Sequence, residues 1–415
     1  MVEPRAAVTA FLENHRDSLV EQAHDLVAVD TQNPPGETAS LAGSLETTLS
    51  GLGLDTERIV ADPAKPNLLA TLPGESERTL LYNGHLDTVP FDEETWTHDP
   101  LGERDGDRLY GRGATDMKGA VAAMVLAVRA FAETETTPPV TLQFAFVSDE
   151  ETSGEAGLPT LLANRDLAAD GCVIGETTCE QGRHSVTVAD RGSIWLTLAA
   201  TGTAAHGSRP MLGENAIDRL YNAVERIRTE FGTERLDLDA ALDPIVEESV
   251  EYYAPRLGES AARELFAYPT VNLGTLEGGE SINSVPQSAR AHVDIRLAPA
   301  VDTERILARI RECVDGCTGI TIEEVSWSVG TYEPVDSLLV DAVAETAEEV
   351  TGERIYRRSA TGGGDAKTLR NAGIPTVEFG LGTDTAHAVD EYTTVEALAG
   401  NAAVYATLPF AFAGD

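Results

Sequence analysis

Residues 80–90 read LLYNGHLDTVP, an apolar run that turns polar at His85 and Asp87. Other apolar runs end in the same way. Asp149, Glu150 and Glu151 follow VTLQFAFVS, Glu176 follows AADGCVIG, and His387 lies in the polar loop after GIPTVEFGLG. Asp116 sits in the Gly-rich stretch GRGATDMKG. Imidazole and carboxylate without thiolate suit Zn²⁺, Co²⁺ or Mn²⁺ at a catalytic site better than a closed structural site. Two histidines and three carboxylates can hold two metals about 3.5–4 Å apart, one carboxylate bridging. The remaining Glu is then free to act as a base. Taken singly each residue says little, because a carboxylate run such as SDEETSGE is ordinarily a solvated loop. Residues i and i+2 of an extended chain point the same way. Asp87 can therefore stand behind His85, accept a hydrogen bond from its imidazole and fix the tautomer without touching metal.

The elements that must deliver these groups are legible in the apolar patterning. Residues 4–28 have helical spacing, and NPPGE (33–37) breaks the chain. NLLATL, TLLYNG, VTLQFAFVS and AADGCVIGE read as short buried strands, with a buried Ala-rich helix over 117–133 between the second and third. GEAGLPTLLANR restarts a helix. This alternation predicts an α/β fold, a mostly parallel sheet sandwiched by helices, with its site at the carboxyl ends of the strands. From about Gly182 the pattern changes to GSIWLTLAATG, NAIDRLYNAVERIRTEF and ARAHVDIRLA: alternating strand, amphipathic helix, alternating strand. That predicts a smaller α+β domain over 182–297 inserted into a catalytic domain of 1–181 and 298–415. Residues 233–267 are acidic and partly helical, with no evident task. Helices return at 303–316 and 336–351, and 373–382 reads as one more core strand.

A formal charge of −39 with only three lysines (Lys65, Lys118, Lys367) points to a surface adapted to high salt, where ions screen self-repulsion. It argues against nucleic acid and anionic membranes as partners. No basic stretch precedes an apolar core near the N-terminus, and no run reaches the roughly 18 apolar residues of a spanning helix, so a cytoplasmic protein is expected. Four cysteines make no disulfide framework. Cys313 and Cys317 share a helix face and read as core residues or as half of a metal site.

NGHLDTVP, GRGATDMKGAVAAM, SDEETSGEAG, GTAAHGSRP and GIPTVEFGLGTDTAHAVDEY, in that order, resemble the dinuclear metallohydrolase family of acetylornithine deacetylase, succinyl-diaminopimelate desuccinylase, aminoacylase and glutamate carboxypeptidase. The resemblance implies two divalent ions, Zn or Co. His85 and Glu176 would bind one, Glu151 and His387 the other, and Asp116 would bridge them. Glu150 would be the general base and Asp87 the partner of the metal-binding imidazole. A cis peptide is expected at Asp116–Met117. The inserted domain would be a lid and dimerisation domain, with His206 reaching across a homodimer to the substrate's oxyanion. Asn283 in INSVP would line the substrate site, and Gly363 lies in the matching Gly-rich loop ATGGGDAKTL. Arg191 and Arg296 match positions tied to a substrate carboxylate, and a structural ion pair is the other reading of both.

The implied reaction is hydrolysis of the amide of an N-acyl amino acid, with a dipeptidase or glutamate-carboxypeptidase-like activity as the alternative. The metals would lower the pKa of a bridging water. Glu150 would take its proton and pass it to the leaving amine, and metal and His206 would hold the oxyanion. Glu at 176, where the family's aminopeptidases tend to have Asp, leans towards deacylase or carboxypeptidase. A binding protein derived from such an enzyme would be expected to lack a ligand or the base, and all six residues are present.

Overall fold

A computed structural model describes residues 3–414. The expected catalytic domain began at residue 1 and ended at 415; residues 1, 2 and 415 lie outside the described residues. The chain divides into two compact units, one of 1–188, 333–358 and 364–415, the other of 189–332 and 359–363.

The first unit is built on an eight-stranded sheet. Its spatial order is Asp55–Ile59, Asn67–Leu72, Thr141–Val147, Thr79–His85, Gly171–Ile174, Thr376–Glu378, His184–Ala189 and Ile355–Ser359. Four neighbouring strands at its centre, from Thr141–Val147 to Thr376–Glu378, run parallel. The first two strands are antiparallel additions at one edge. Every residue of Thr79–His85 is buried, as a strand covered on both faces requires. Helix Lys118–Glu133 packs against this strand and between helices Arg16–Val27 and Val395–Phe412. Its many alanines allow that closeness. Gly84 and Gly175, which precede His85 and Glu176, lie directly against it. A Cβ at Gly84 would stand 3.0 Å from Met117 Cε, and one at Gly175 would stand 2.7 Å from Met124 Cε.

The periodic stretch 4–28 forms two helices, Pro4–Asn14 and Arg16–Val27. The break falls at His15, whose N–H bonds the Leu12 carbonyl and whose Nδ1 lies 2.7 Å from the Phe11 carbonyl oxygen. A small sheet of Glu103–Asp105, Arg108–Tyr110 and Tyr392–Thr394 was not expected from the pattern.

The second unit holds a four-stranded antiparallel sheet ordered Thr270–Gly278, Ser288–Leu297, Gly192–Thr201 and Ile320–Ser328. Helices Ala216–Glu230 and Thr303–Asp315 share its apolar core. Burial alternates along Ser288–Leu297, the signature of a sheet covered on one face. The expected boundary at 297 therefore moves to 332. Thr303–Asp315 packs on this sheet and Ile320–Ser328 pairs with Gly192–Thr201, so both belong to the second unit. Their spacing alone could not say which sheet they would join. Cys313 is buried in this core and Cys317 packs against it.

The acidic stretch 233–267 forms helices Asp243–Leu257 and Glu259–Ala267. Ser249 on the first is fully buried and accepts the Ser359 N–H at 2.9 Å. The stretch thus anchors residue 359, where the chain enters the Gly-rich loop. Among the described residues no helix is long and apolar enough to cross a membrane.

Candidate metal centre

In the first unit the two histidines converge on one carboxylate. Asp116 Oδ1 lies 3.1 Å from His85 Nε2, and Asp116 Oδ2 lies 3.1 Å from His387 Nε2. Glu176 Oε1 is 3.2 Å from His85 Nε2, and Glu151 Oε2 is 3.2 Å from His387 Nε2. Two groups result, His85–Asp116–Glu176 and Asp116–Glu151–His387, with ligand atoms in each within 4.8 Å of one another. Asp116 belongs to both. The Asp116–Met117 peptide is cis.

Each group arrives from a different element. His85 ends a central strand. Its partner strand ends at Val147, so the turn with Glu150 and Glu151 begins at the same level of the sheet. Glu176 follows the strand Gly171–Ile174 on the other side of His85. His387 comes from the loop after Thr376–Glu378, with a left-handed backbone (φ 62).

The electrostatics are those of a site built for cations. Burial opposes the His85 imidazolium, but hydrogen bonds to Asp116 and Glu176 outweigh it and raise its pKa well above the usual value. Hydrogen bonds to Asp116 and Glu151 push His387 up to about 10. Burial favours a neutral Asp116, yet His387 and His85 hold its carboxyl well below the usual carboxylate range. Burial pushes Glu150 up to about 8, with Asp365, Glu151 and Asp116 adding and His85 opposing. Glu176 is raised by burial and by Asp116. Four carboxyl groups thus share the space of two imidazoles. Glu151 Oε1 is buried with no hydrogen-bond partner among the described residues. An uncompensated buried carboxylate oxygen is costly, and a divalent ion on the mixed imidazole–carboxylate set would satisfy it. The donor set fits Zn, Co or Mn.

Asp87 departs from expectation. The His85 Nδ1 bond goes to the Asp87 backbone carbonyl at 2.9 Å, while the carboxylate Oδ1 stands 4.0 Å away. The tautomer is still fixed, with Nε2 left to face Asp116 and Glu176. The extended chain ends at His85, so the carbonyl of residue 87 turns back to the ring. The fully buried Asp87 carboxylate instead accepts the N–H groups of Glu150 and Glu151, each at 3.2 Å, and Asn33 Nδ2 at 2.8 Å. It braces the turn that carries both glutamates.

Sequence reasoning missed Glu391. Its fully buried carboxylate accepts the N–H groups of Gly113, Thr115 and Asp116 at 3.0–3.1 Å and pairs with Arg112 at 2.6 Å. Glu391 and Asp116 are 275 residues apart. No local spacing could have paired them. Asn33, in the chain-breaking NPPGE, was also read only as punctuation.

The Gly-rich loop meets the site through Gly364, the neighbour of Gly363. A Cβ at Gly364 would lie 2.8 Å from Glu150 Oε1. In the second unit His206 and Asn283 are exposed neighbours: Gly207 N–H bonds the Asn283 carbonyl at 2.6 Å, and His206 pairs with Ser284 in a β-bridge. Arg296 pairs with Asp294 at 2.8 Å and lies over the Trp195 ring. Arg191 is buried and donates to the Arg296 carbonyl at 3.0 Å and to Thr270 Oγ1 at 3.2 Å. These contacts are internal to the unit's sheet.

Fold and site together define a metal-dependent α/β hydrolase. Residues 81–410 match peptidase family M20/M25/M40, and the chain belongs to that family. It is a metal-dependent hydrolase of amide bonds. The chain is similar to a succinyl-diaminopimelate desuccinylase of Cereibacter sphaeroides (strain ATCC 17023), 31% identical over 396 residues, covering 92% of this chain and 95% of that one. It is also 31% identical over 395 residues to succinyl-diaminopimelate desuccinylase 2 of Ruegeria sp. (strain TM1040), covering 92% and 91%. Among solved structures, an M20 family metallo-carboxypeptidase from Sulfolobus solfataricus aligns with a TM-score of 0.79 at 21% identity, over 95% of this chain and 99% of its own. The di-peptidase Dug1p from Saccharomyces cerevisiae aligns with a TM-score of 0.76 at 17% identity over 100% of both.

Proposed function

We propose that the protein is an N-acyl amino acid deacylase, with N-succinyl-diaminopimelate the first substrate to test. The observation that carries this reading is the sharing of Asp116 between two His–carboxylate groups beside an uncommitted Glu150. The relatives named succinyl-diaminopimelate desuccinylase support the choice of substrate. Two divalent ions, Zn or Co, would be held by His85 and Glu176 on one side and by Glu151 and His387 on the other, with Asp116 between. When bound they would lower the pKa of a water and polarise the amide carbonyl.

The remaining steps belong to the chain. Glu150 takes the proton of the attacking water and returns it to the departing amine. Gly364 leaves room for its carboxylate, and Asp87 holds its backbone. His206 and Asn283 are proposed to contact substrate in a homodimer, with His206 serving the partner's substrate. Arg191 and Arg296 are assigned to the structure of the sheet, on the contacts described above.

The test is a hydrolysis screen in molar KCl with added Zn²⁺ or Co²⁺, using N-succinyl-diaminopimelate, N-acetylornithine, other N-acetyl amino acids and dipeptides. Turnover of the N-acyl amino acids, lost on chelation and restored by metal, is expected. Preferential cleavage of dipeptides would replace this reading with a dipeptidase. Full activity of the metal-free protein would overturn both.

A further inference from the structure

The reaction as described leaves Lys65, Asn33 and Asp149 without a task, yet they form a connected polar network at the glutamate turn. Lys65 is one of three lysines in the chain. Its Nζ lies 2.5 Å from Asp149 Oδ1, with side chains only 16% and 8% exposed. The same oxygen accepts Asn33 Nδ2 at 2.9 Å and Thr152 Oγ1 at 3.1 Å. Asn33 Nδ2 also reaches Asp87 Oδ2, whose carboxylate holds the Glu150 and Glu151 N–H groups. Asp149 has φ 64, a left-handed conformation that a residue with a Cβ adopts only where its surroundings hold it. Gly154 closes over it, since a Cβ there would fall 1.8 Å from Asp149 Oδ2. Exposed ion pairs contribute little to stability. This one is largely buried and sits on the left-handed residue that immediately precedes Glu150 and Glu151.

We propose that Lys65 is a positioning residue: through Asp149 it holds the left-handed turn from which Glu150 and Glu151 diverge, one towards the reacting water and one towards the His387 group. Asn33 couples this brace to the Asp87 brace, so the turn is fixed at its first residue and along its N–H groups. The proposal rests on Glu150 being the base. Glu150→Gln is therefore run alongside: if it keeps wild-type kcat, the base assignment itself fails, whatever Lys65 does.

The experiment compares Lys65→Met, Lys65→Arg and Thr152→Val in the metal-loaded protein, reading steady-state kinetics on N-succinyl-diaminopimelate or N-acetylornithine, metal content and thermal melting. For Lys65→Met, kcat should fall about tenfold or more with KM within about twofold, in protein that still melts cooperatively and holds wild-type metal content at saturating metal. Lys65→Arg, which keeps the charge, should recover most of the loss. Thr152→Val, which removes one of the Asp149 bonds, should show a smaller fall of the same kind. An unchanged kcat in Lys65→Met overturns the proposal. So does a loss that disappears at saturating metal, or an equal loss in Lys65→Arg. If Lys65→Met does not fold, Thr152→Val decides: wild-type kcat there also overturns it.

Discussion

Asp87 shows how one side chain can stand where the spacing places it and do different work. An i, i+2 pair on a strand puts His85 and Asp87 on one side, and their side chains are indeed near. The ring Nδ1–H nevertheless donates to a backbone carbonyl, because the chain curls after His85. The carboxylate is left to hold the Glu150–Glu151 turn. Asp87→Asn should therefore weaken metal held by Glu151 and His387 more than metal held by His85 and Glu176. A loss of about 10–100-fold in affinity at the first pair is expected, and stepwise Zn²⁺ titration by calorimetry would show which step weakens. Glu150 is the other residue whose role can be isolated, since neither three-residue group includes it. Glu150→Ala should lower kcat by about 10²–10⁴ with metal content unchanged. Retention of more than about a tenth of wild-type kcat would remove it as the base.

At the scale of elements, the site depends on loops tied down from far away. The loop that presents Asp116 has no regular structure of its own between Tyr110 and Lys118. Glu391 supplies what a helix or strand would have given it, acceptors for three N–H groups and a buried partner for Arg112. Glu391→Ala would strand those groups and leave the buried guanidinium unpaired. It should cost about 3–5 kcal/mol of stability, read as a lower urea midpoint with unchanged slope. A change below about 1 kcal/mol would mean that water replaces the carboxylate. The acidic stretch 233–267 follows the same logic. Its charge suggests a detachable surface feature, yet Ser249 within it carries the Ser359 N–H at the entry to the Gly-rich loop. Its two helices were legible only in part. The buried face of the first answers to the chain at residue 359, which the local sequence cannot show.

At the scale of the whole molecule, net charge dominates. A charge of −39 must repel itself in dilute salt, and we propose that the surface is adapted to high salt. The melting temperature should rise between 0.1 M and 2 M KCl, as screening shortens the range of repulsion from about 10 Å to less than about 3 Å. Equal melting temperatures in the two salts would remove that reading. The division into units is also a whole-molecule property. Thr303–Asp315 and Ile320–Ser328 have the same spacings whether they cover the large sheet or extend the small one. Only the register against Gly192–Thr201 assigns them.

The amino-acid sequence by itself determined the fold class and marked the candidate ligands, most of them just after apolar runs. Those rest on short-range facts: period, apolar runs, and residue types that must stand beside one another in the chain. The tertiary structure alone decided that Asp116 offers one oxygen to each histidine. It alone showed that Glu391 and Asn33 hold the loops in place, and that the Asp87 carboxylate braces a turn and not a ring. These partners lie 31 to 279 residues apart in sequence. Each contact exists only because burial forces a polar group to find whichever partner the fold has brought near.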